Sequence, residues 1–99
     1  MSFILYLIGI YLATRLNGWC VDENGNEMGY GNEMGAVKLT GSFSLSECIK
    51  ECQKQNGVKV TGCEHNSVNG RCWYHTKPVS GGNGDGKYSC WTLNPGKST

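Results

Sequence analysis

Ser44 to Gly57, S-L-S-E-C-I-K-E-C-Q-K-Q-N-G, is the stretch whose reading decides the fold. Ser44 and Glu47 form an S-x-x-E capping box: the hydroxyl accepts from the Glu47 amide and the carboxylate reaches back to the Ser44 amide. Leu45, Cys48, Ile49 and Cys52 follow at i, i+3, i+4 and i+7, which is one helical face. Lys50, Glu51, Gln53 and Lys54 fall mostly elsewhere and read as solvated. Phe43 stands just before the cap, where it can pack over the first turns as half of a hydrophobic staple. Asn56-Gly57 is the predicted stop, with Gly57 suited to the left-handed conformation after the last turn. One short helix therefore presents Leu, Ile and two thiols on a single stripe.

The receiving surface is legible downstream. After Gly57 the period changes to two, with Val58, Val60, Gly62 and Glu64 alternating with Lys59, Thr61, Cys63 and His65. Asn69-Gly70 predicts a tight hairpin turn, and Arg71–Thr76 is the return strand, closed by Lys77-Pro78. A two-residue loop at Asn69-Gly70 sets Ser67 opposite Cys72, His65 opposite Tyr74 and Cys63 opposite Thr76. Cys63 and Cys72 then share one face, as they must if both bond to one helix. Nesting favours Cys52–Cys63 and Cys48–Cys72, which leaves Cys20–Cys90, although six cysteines admit many connectivities.

The remaining segments are short. Trp19–Asp22 and Val37–Thr40 read as strands, and Lys87–Leu93 as a last strand. Ser80–Gly86 reads as a flexible loop. Glu23–Ala36 is a polar loop containing a near-repeat, G-N-E-M-G-Y (25–30) then G-N-E-M-G-A (31–36), taken as a local duplication too short and too few for a solenoid. Residues 1–18 differ from the rest. The apolar run Phe3–Ala13 is shorter than the roughly 20 residues of a membrane span and matches the core of a secretory signal peptide. Cleavage is expected between Ala13 and Gly18; the competing readings are a buried strand or helix of the domain and a short anchor retained in a membrane. What remains of the 99 residues is poor in apolar side chains and rich in cysteine, so disulfides formed in an oxidising compartment are expected to supply the missing stability. The net charge is +1 with no basic stripe, which argues against nucleic acid as a partner and, once the leader is removed, against membrane.

The order of Cys20 behind an opening G-W-C, C-I-K-E-C (48–52) on a helix, Cys63 and Cys72 on a hairpin and Cys90 in a final strand resembles the PAN/apple domain family, over about Trp19 to Leu93. The resemblance implies an α+β fold with one helix packed on a curved antiparallel sheet, residues 94–99 being a polar tail. It implies core bridges Cys48–Cys72 and Cys52–Cys63 and a third, Cys20–Cys90, tying the termini. It also implies non-catalytic recognition of an extracellular protein or carbohydrate by a secreted monomer.

Other chemistries fare worse. Cys63-x-His65 with Cys72-x-x-His75 suggests a zinc set, but the register turns His75 away from Cys72 and the thiols are needed as bridges. Asp22, Asn24, Asn26 and Glu33 mimic a calcium loop, but the turn position is Glu27 where glycine is required. No nucleophile elbow or phosphate loop occurs, so neither an enzyme nor a cofactor is expected. Trp73 and His75 fall on the hairpin face away from the helix, and Trp91 is expected to share it. These three are the candidate ligand-binding residues, since aromatic side chains carry much of the energy at binding sites; the competing reading packs them under a loop such as Glu23–Ala36. A toxin-like or defence effector and a structural matrix component are the alternative functions.

Overall fold

A computed structural model describes residues 5–8, 11–31, 33–55 and 59–95. The strands are β1 (Leu5–Ile8), β2 (Tyr11–Asn17), β3 (Cys20–Val21), β4 (Gly29–Tyr30), β5 (Gly35–Lys38), β6 (Gly62–Asn66), β7 (Cys72–His75), β8 (Gly81–Gly82) and β9 (Tyr88–Pro95), with one helix, α1 (Leu45–Gln53). Seven strands form one sheet in the order β1-β2-β9-β6-β7-β5-β4, and β3 pairs with β8 in a second, two-stranded sheet. All pairings are antiparallel except β4 with β5. This is a small α+β domain held by Cys20–Cys90, Cys48–Cys72 and Cys52–Cys63.

The helix begins as its sequence dictates. The Glu47 amide donates to Ser44 Oγ at 3.2 Å and the Ser44 amide to Glu47 Oε1 at 2.8 Å. It ends sooner than expected. Lys54 is the C-cap, and the Glu51 carbonyl accepts both from the Lys54 amide at 3.2 Å and from Gln55 Nε2 at 2.9 Å, reinforcing the helix end. Asn56 and Gly57, the predicted stop, lie outside the described residues. The stripe packs on the sheet: Cys48, Ile49, Cys52, Val60, Cys63, Cys72, Tyr74, Trp91 and Leu93 form the core, with Val37, Leu39, Phe43 and Leu45 against it.

The hairpin register differs from the expected one by two residues. Cys63 pairs with Tyr74 and His65 with Cys72. The turn is wider because Asn66 closes it. Its side-chain Oδ1 accepts from the Val68 amide at 2.8 Å and the Asn69 amide at 3.3 Å, and its carbonyl accepts from Gly70 at 2.8 Å. Ser67 is drawn toward the Lys87 carbonyl by both its amide and its hydroxyl. Gly70 does take positive φ, at 76°. A slip of two preserves side-chain parity, so Cys63 and Cys72 still face the helix and their bridges form.

The opposite face is covered. Glu64 pairs with both Trp73 and Cys90, so all three point away from the helix. The Cys20–Cys90 bridge and a 3.0 Å hydrogen bond from the Cys20 amide to Glu64 Oε1 hold β3 over that face. Gly81-Gly82, expected in a free loop, instead pairs with β3. With a layer on each side, every residue of β6 and β7 is buried.

Both ends of the main sheet depart from expectation. In the 99-residue chain, the stretch read as a leader supplies β1 and β2, and β2 pairs with β9 from Tyr11↔Pro95 to Asn17↔Ser89. Cleavage between Ala13 and Gly18 would remove that partner and leave β9 as an edge strand. Pro95, expected in the polar tail, closes this ladder. At the other edge, the near-repeat pairs with itself. Gly29 aligns with Gly35 and Tyr30 with Ala36, an offset equal to the repeat length. Neighbouring parallel strands ordinarily need a crossover of a dozen or more residues. Here the chain returns through a tight coil in which the Gly35 and Met34 amides both donate to the Gly31 carbonyl, at 2.9 and 3.0 Å. The packing is reciprocal: a Cβ on Gly29 would meet Met34, and a Cβ on Gly35 would meet Met28.

Candidate functional site

Two features stand out on the face away from the helix. The first is a buried polar cluster. Period-two alternation on β6 and β7 sends Glu64 and His75 to this side, where His75 is 1% and Glu64 6% exposed. Glu64 Oε1 lies 3.2 Å from His75 Nε2 and also accepts from the Cys20 amide. The other ring nitrogen, His75 Nδ1, lies 3.3 Å from Met28 Sδ. Met28 is buried, having been lowered onto the sheet by the loop that precedes β4. That loop is shaped by Asp22, whose carboxylate accepts from the Asn24 and Asn26 amides at 2.9 and 3.0 Å. The carboxylate weighed as a calcium ligand is thus engaged in building its own turn.

The second feature is a row of aromatic rings. The Trp73 ring lies 6.2 Å from that of Tyr88, and Tyr88 meets Trp19 edge-on at 5.3 Å. Trp73 is buried, while Tyr88 and Trp19 are half-buried. The Trp73 indole N–H is buried with no acceptor among the described residues. Tyr30, on the edge strand β4, is 68% exposed. Its hydroxyl is held above the ordinary tyrosine range by partial desolvation and then by the charges of Glu27 and Glu64 and by Tyr88, against the lowering effect of Arg71. Tyr30 pairs with Ala36 and Ala36 with His75, so Tyr30 falls on the His75 face, away from the helix. Met34, beside it on the coil, is 58% exposed, and Val68 at the hairpin tip is 73% exposed.

The three residues expected to contact ligand are distributed otherwise. Trp73 and His75 are on the predicted face but lie beneath the β3 layer and the Met28 loop. Trp91 is on the opposite face. It pairs with Cys63, not Glu64, and is buried at 2% exposure in the helix-side core. The parity of β9 relative to the hairpin sets this, and no local signal in β9 discloses it. His65, also on the helix side, has Nε2 2.6 Å from the Phe43 carbonyl. The accessible aromatics, Trp19, Tyr88 and Tyr30, were not singled out by sequence reasoning. Tyr88 was within reach of it, since it lies two residues before Cys90 and so shares its face.

Thiolate chemistry is closed to the oxidised chain. Cys48, Cys52 and Cys72 cluster together, and Cys20 sits with Glu64 and His75 within ligand spacing, but no described cysteine is free. No helix among the described residues is long and apolar enough to cross a membrane. Comparison with known proteins yields no matching family model, no matching curated protein and no matching solved structure.

Proposed function

We propose that the chain is a secreted, monomeric, non-catalytic recognition module of PAN/apple type that binds an extracellular protein or glycan. The observation that carries this reading is the half-buried, edge-on pair Trp19 and Tyr88, together with exposed Tyr30 on the edge strand β4, displayed on a scaffold stapled by three disulfides. Tyrosine and tryptophan offer large rigid contact area with a polar tip, the combination that anchors protein interfaces. Pre-ordering by disulfides lowers the entropy lost on binding. The cysteine order and the helix-to-hairpin bridges support the PAN/apple assignment. Three bridges and a leader-like N-terminus support export to an oxidising compartment.

The test is an array of extracellular proteins and glycans probed with the oxidised protein, wild type against Tyr88→Ala and Tyr30→Ala. Both substitutions are expected to lower binding at least tenfold. Wild-type binding that survives both sinks these aromatics as the contact surface, and an absence of any wild-type binding sinks the recognition reading. Export is tested separately by the intact mass of protein recovered from the medium of expressing cells. Loss of 13 to 18 N-terminal residues is expected there, consistent with the cleavage window, whereas recovery of the full-length mass refutes the leader.

A further inference from the structure

The chain holds five tyrosines, and one of them is presented unlike the rest. Tyr6 and Tyr11 lie in the stretch read as a leader. Tyr74 is buried in the helix-side core. Tyr88 is half-buried with Trp19 and Trp73 against its ring, and a lysine, Lys87, precedes it. Tyr30 is 68% exposed and sits on β4, the two-residue outermost strand of the sheet. Glycine flanks it on both sides, and a Cβ at Gly31 would meet nothing within 4 Å, so the backbone there lies open. Its surroundings in sequence are acidic. From Leu16 to Val37 there are four acids, Asp22, Glu23, Glu27 and Glu33, and no lysine, arginine or histidine, although the whole chain is +1. Glu27 and Glu33 stand three residues to either side of Tyr30, and both are exposed.

We propose that Tyr30 is a modification site, O-sulfated by a tyrosine sulfotransferase of the secretory pathway. The modification rests on the proposed export, since the nucleotide phosphosulfate donor meets the chain only on that route. An enzyme that takes a sulfonate from a polyanionic donor presents cations around its reacting centre, and carboxylates on the acceptor are drawn to them. With the segment extended at about 3.3 Å per residue, Glu27 and Glu33 flank the phenol by about 10 Å on either side, close enough to steer and too far to obstruct the ring. The lack of any base from Leu16 to Val37 spares Tyr30 the repulsion that Lys87 imposes next to Tyr88. Access is given by the fold: a two-residue edge strand opens locally without disturbing the sheet behind it. In the transfer, the Tyr30 oxygen attacks the donor's sulfur, and the new O–S bond forms as the bond from sulfur to the bridging phosphate oxygen breaks. The phenolic proton passes to a base on the transferase, the nucleotide phosphate leaves with the bonding electron pair, and nothing is oxidised or reduced. The product is a fixed anion on the exposed edge, an acceptor suited to an arginine- or lysine-bearing partner.

The experiment expresses the full chain, wild type and variants, in animal cells that carry a secretory-pathway tyrosine sulfotransferase, and reads the intact mass of the oxidised protein in the medium. Wild type is expected to carry one added sulfur trioxide unit, resistant to phosphatase and lost when chlorate blocks synthesis of the donor. Tyr30→Phe, which keeps the ring, is expected to lose the added mass, and Tyr88→Phe to retain it. Joint replacement by Glu27→Gln and Glu33→Gln is expected to lower the sulfated fraction about tenfold, as removal of steering charge does. Wild type in the medium without the added mass overturns the proposal and leaves export standing. So does added mass that phosphatase removes, added mass that persists in Tyr30→Phe, or an undiminished fraction in the glutamine pair. A chain that never reaches the medium refutes export, and the modification with it.

Discussion

The self-pairing of the near-repeat makes two chemically identical substitutions unequal, and the inequality is calculable. Gly29 and Gly35 occupy the same place in successive copies of G-N-E-M-G. Gly35 has φ of 113°, a conformation L residues avoid, and a Cβ there would sit 2.9 Å from Met28 Sδ and 3.3 Å from Met28 Cβ. Gly35→Ala therefore carries a backbone term of about 1–3 kcal/mol and an overpacking term of about 1–3 kcal/mol, because buried Met28 has nowhere to go. Gly29 has no positive φ. Its Cβ would meet Met34 Cε at 2.9 Å and Cβ at 3.2 Å, but Met34 is 58% exposed and its tip swings away. Gly29→Ala is expected to cost under about 1 kcal/mol, the range of ordinary surface substitutions. Urea unfolding of the oxidised protein gives the global difference. Hydrogen exchange of the Thr76 amide, which donates to the Gly35 carbonyl at 2.9 Å, gives the local one. A double-mutant cycle isolates the packing term: Gly35→Ala should add about 1–3 kcal/mol less in a Met28→Ala background than in the wild type. Equal losses for the two glycines, or a cycle with no coupling, would refute the reciprocal packing.

Three further outcomes are expected. The Ser44 amide and hydroxyl hold the Glu47 carboxyl below the ordinary glutamate range, so its contribution to the helix is present above about pH 4.3 and is lost as the pH falls through the depressed folded value; far-ultraviolet circular dichroism should show Glu47→Gln differing from wild type at pH 7 and converging with it in acid. Asn66→Ala removes the acceptor for the Val68 and Asn69 amides and should cost about 1–3 kcal/mol by urea unfolding, with the loss confined to the hairpin tip in amide exchange. Replacing both members of Cys20–Cys90 by alanine opens a link of sequence separation 70, against 11 for Cys52–Cys63; chain entropy assigns the long link about 4 kcal/mol and the short one about 3 kcal/mol, so denaturation midpoints should fall further for the first pair.

Most of the helix and all three bridges were legible in the sequence, for definable reasons. A capping box and an i, i+3, i+4, i+7 stripe are local signals, and side-chain parity on a hairpin survives a slip of two residues. What escaped depends on partners distant in the chain. Trp91 faces the helix because β9 lies beside β6 with Trp91 opposite Cys63, and nothing within Lys87–Leu93 chooses between the two faces. The turn at Asn69-Gly70 lost to Asn66, whose amide oxygen offered two hydrogen bonds where the short turn offered none to that side chain. Glycine and asparagine in 25–36 signal a loop by propensity, yet the segment builds a parallel pair, because the second copy is held on β7 and offers its other edge to the first. At the candidate site, His75 and Trp73 were found by alternation, whereas Met28 and Tyr88 reach them only through the folded loop and the neighbouring strand.

The hexapeptide coil at the sheet edge also bears on how such a chain can change in length. Its offset equals its repeat, so the six residues from Gly31 to Ala36 form a closed increment: the chain leaves the edge strand and rejoins it one rung away, in the same register. A further copy inserted after Tyr30 would add one rung and keep the β5–β7 pairing, at the cost of the bonds that join Val21 and Asp22 to the first copy. Each added methionine would find the preceding copy's glycine as its seat, and each new terminal methionine would stand in solvent as Met34 does. Growth at this margin is therefore modular, and copy number alone would set how far the exposed tip projects from the disulfide-bonded body.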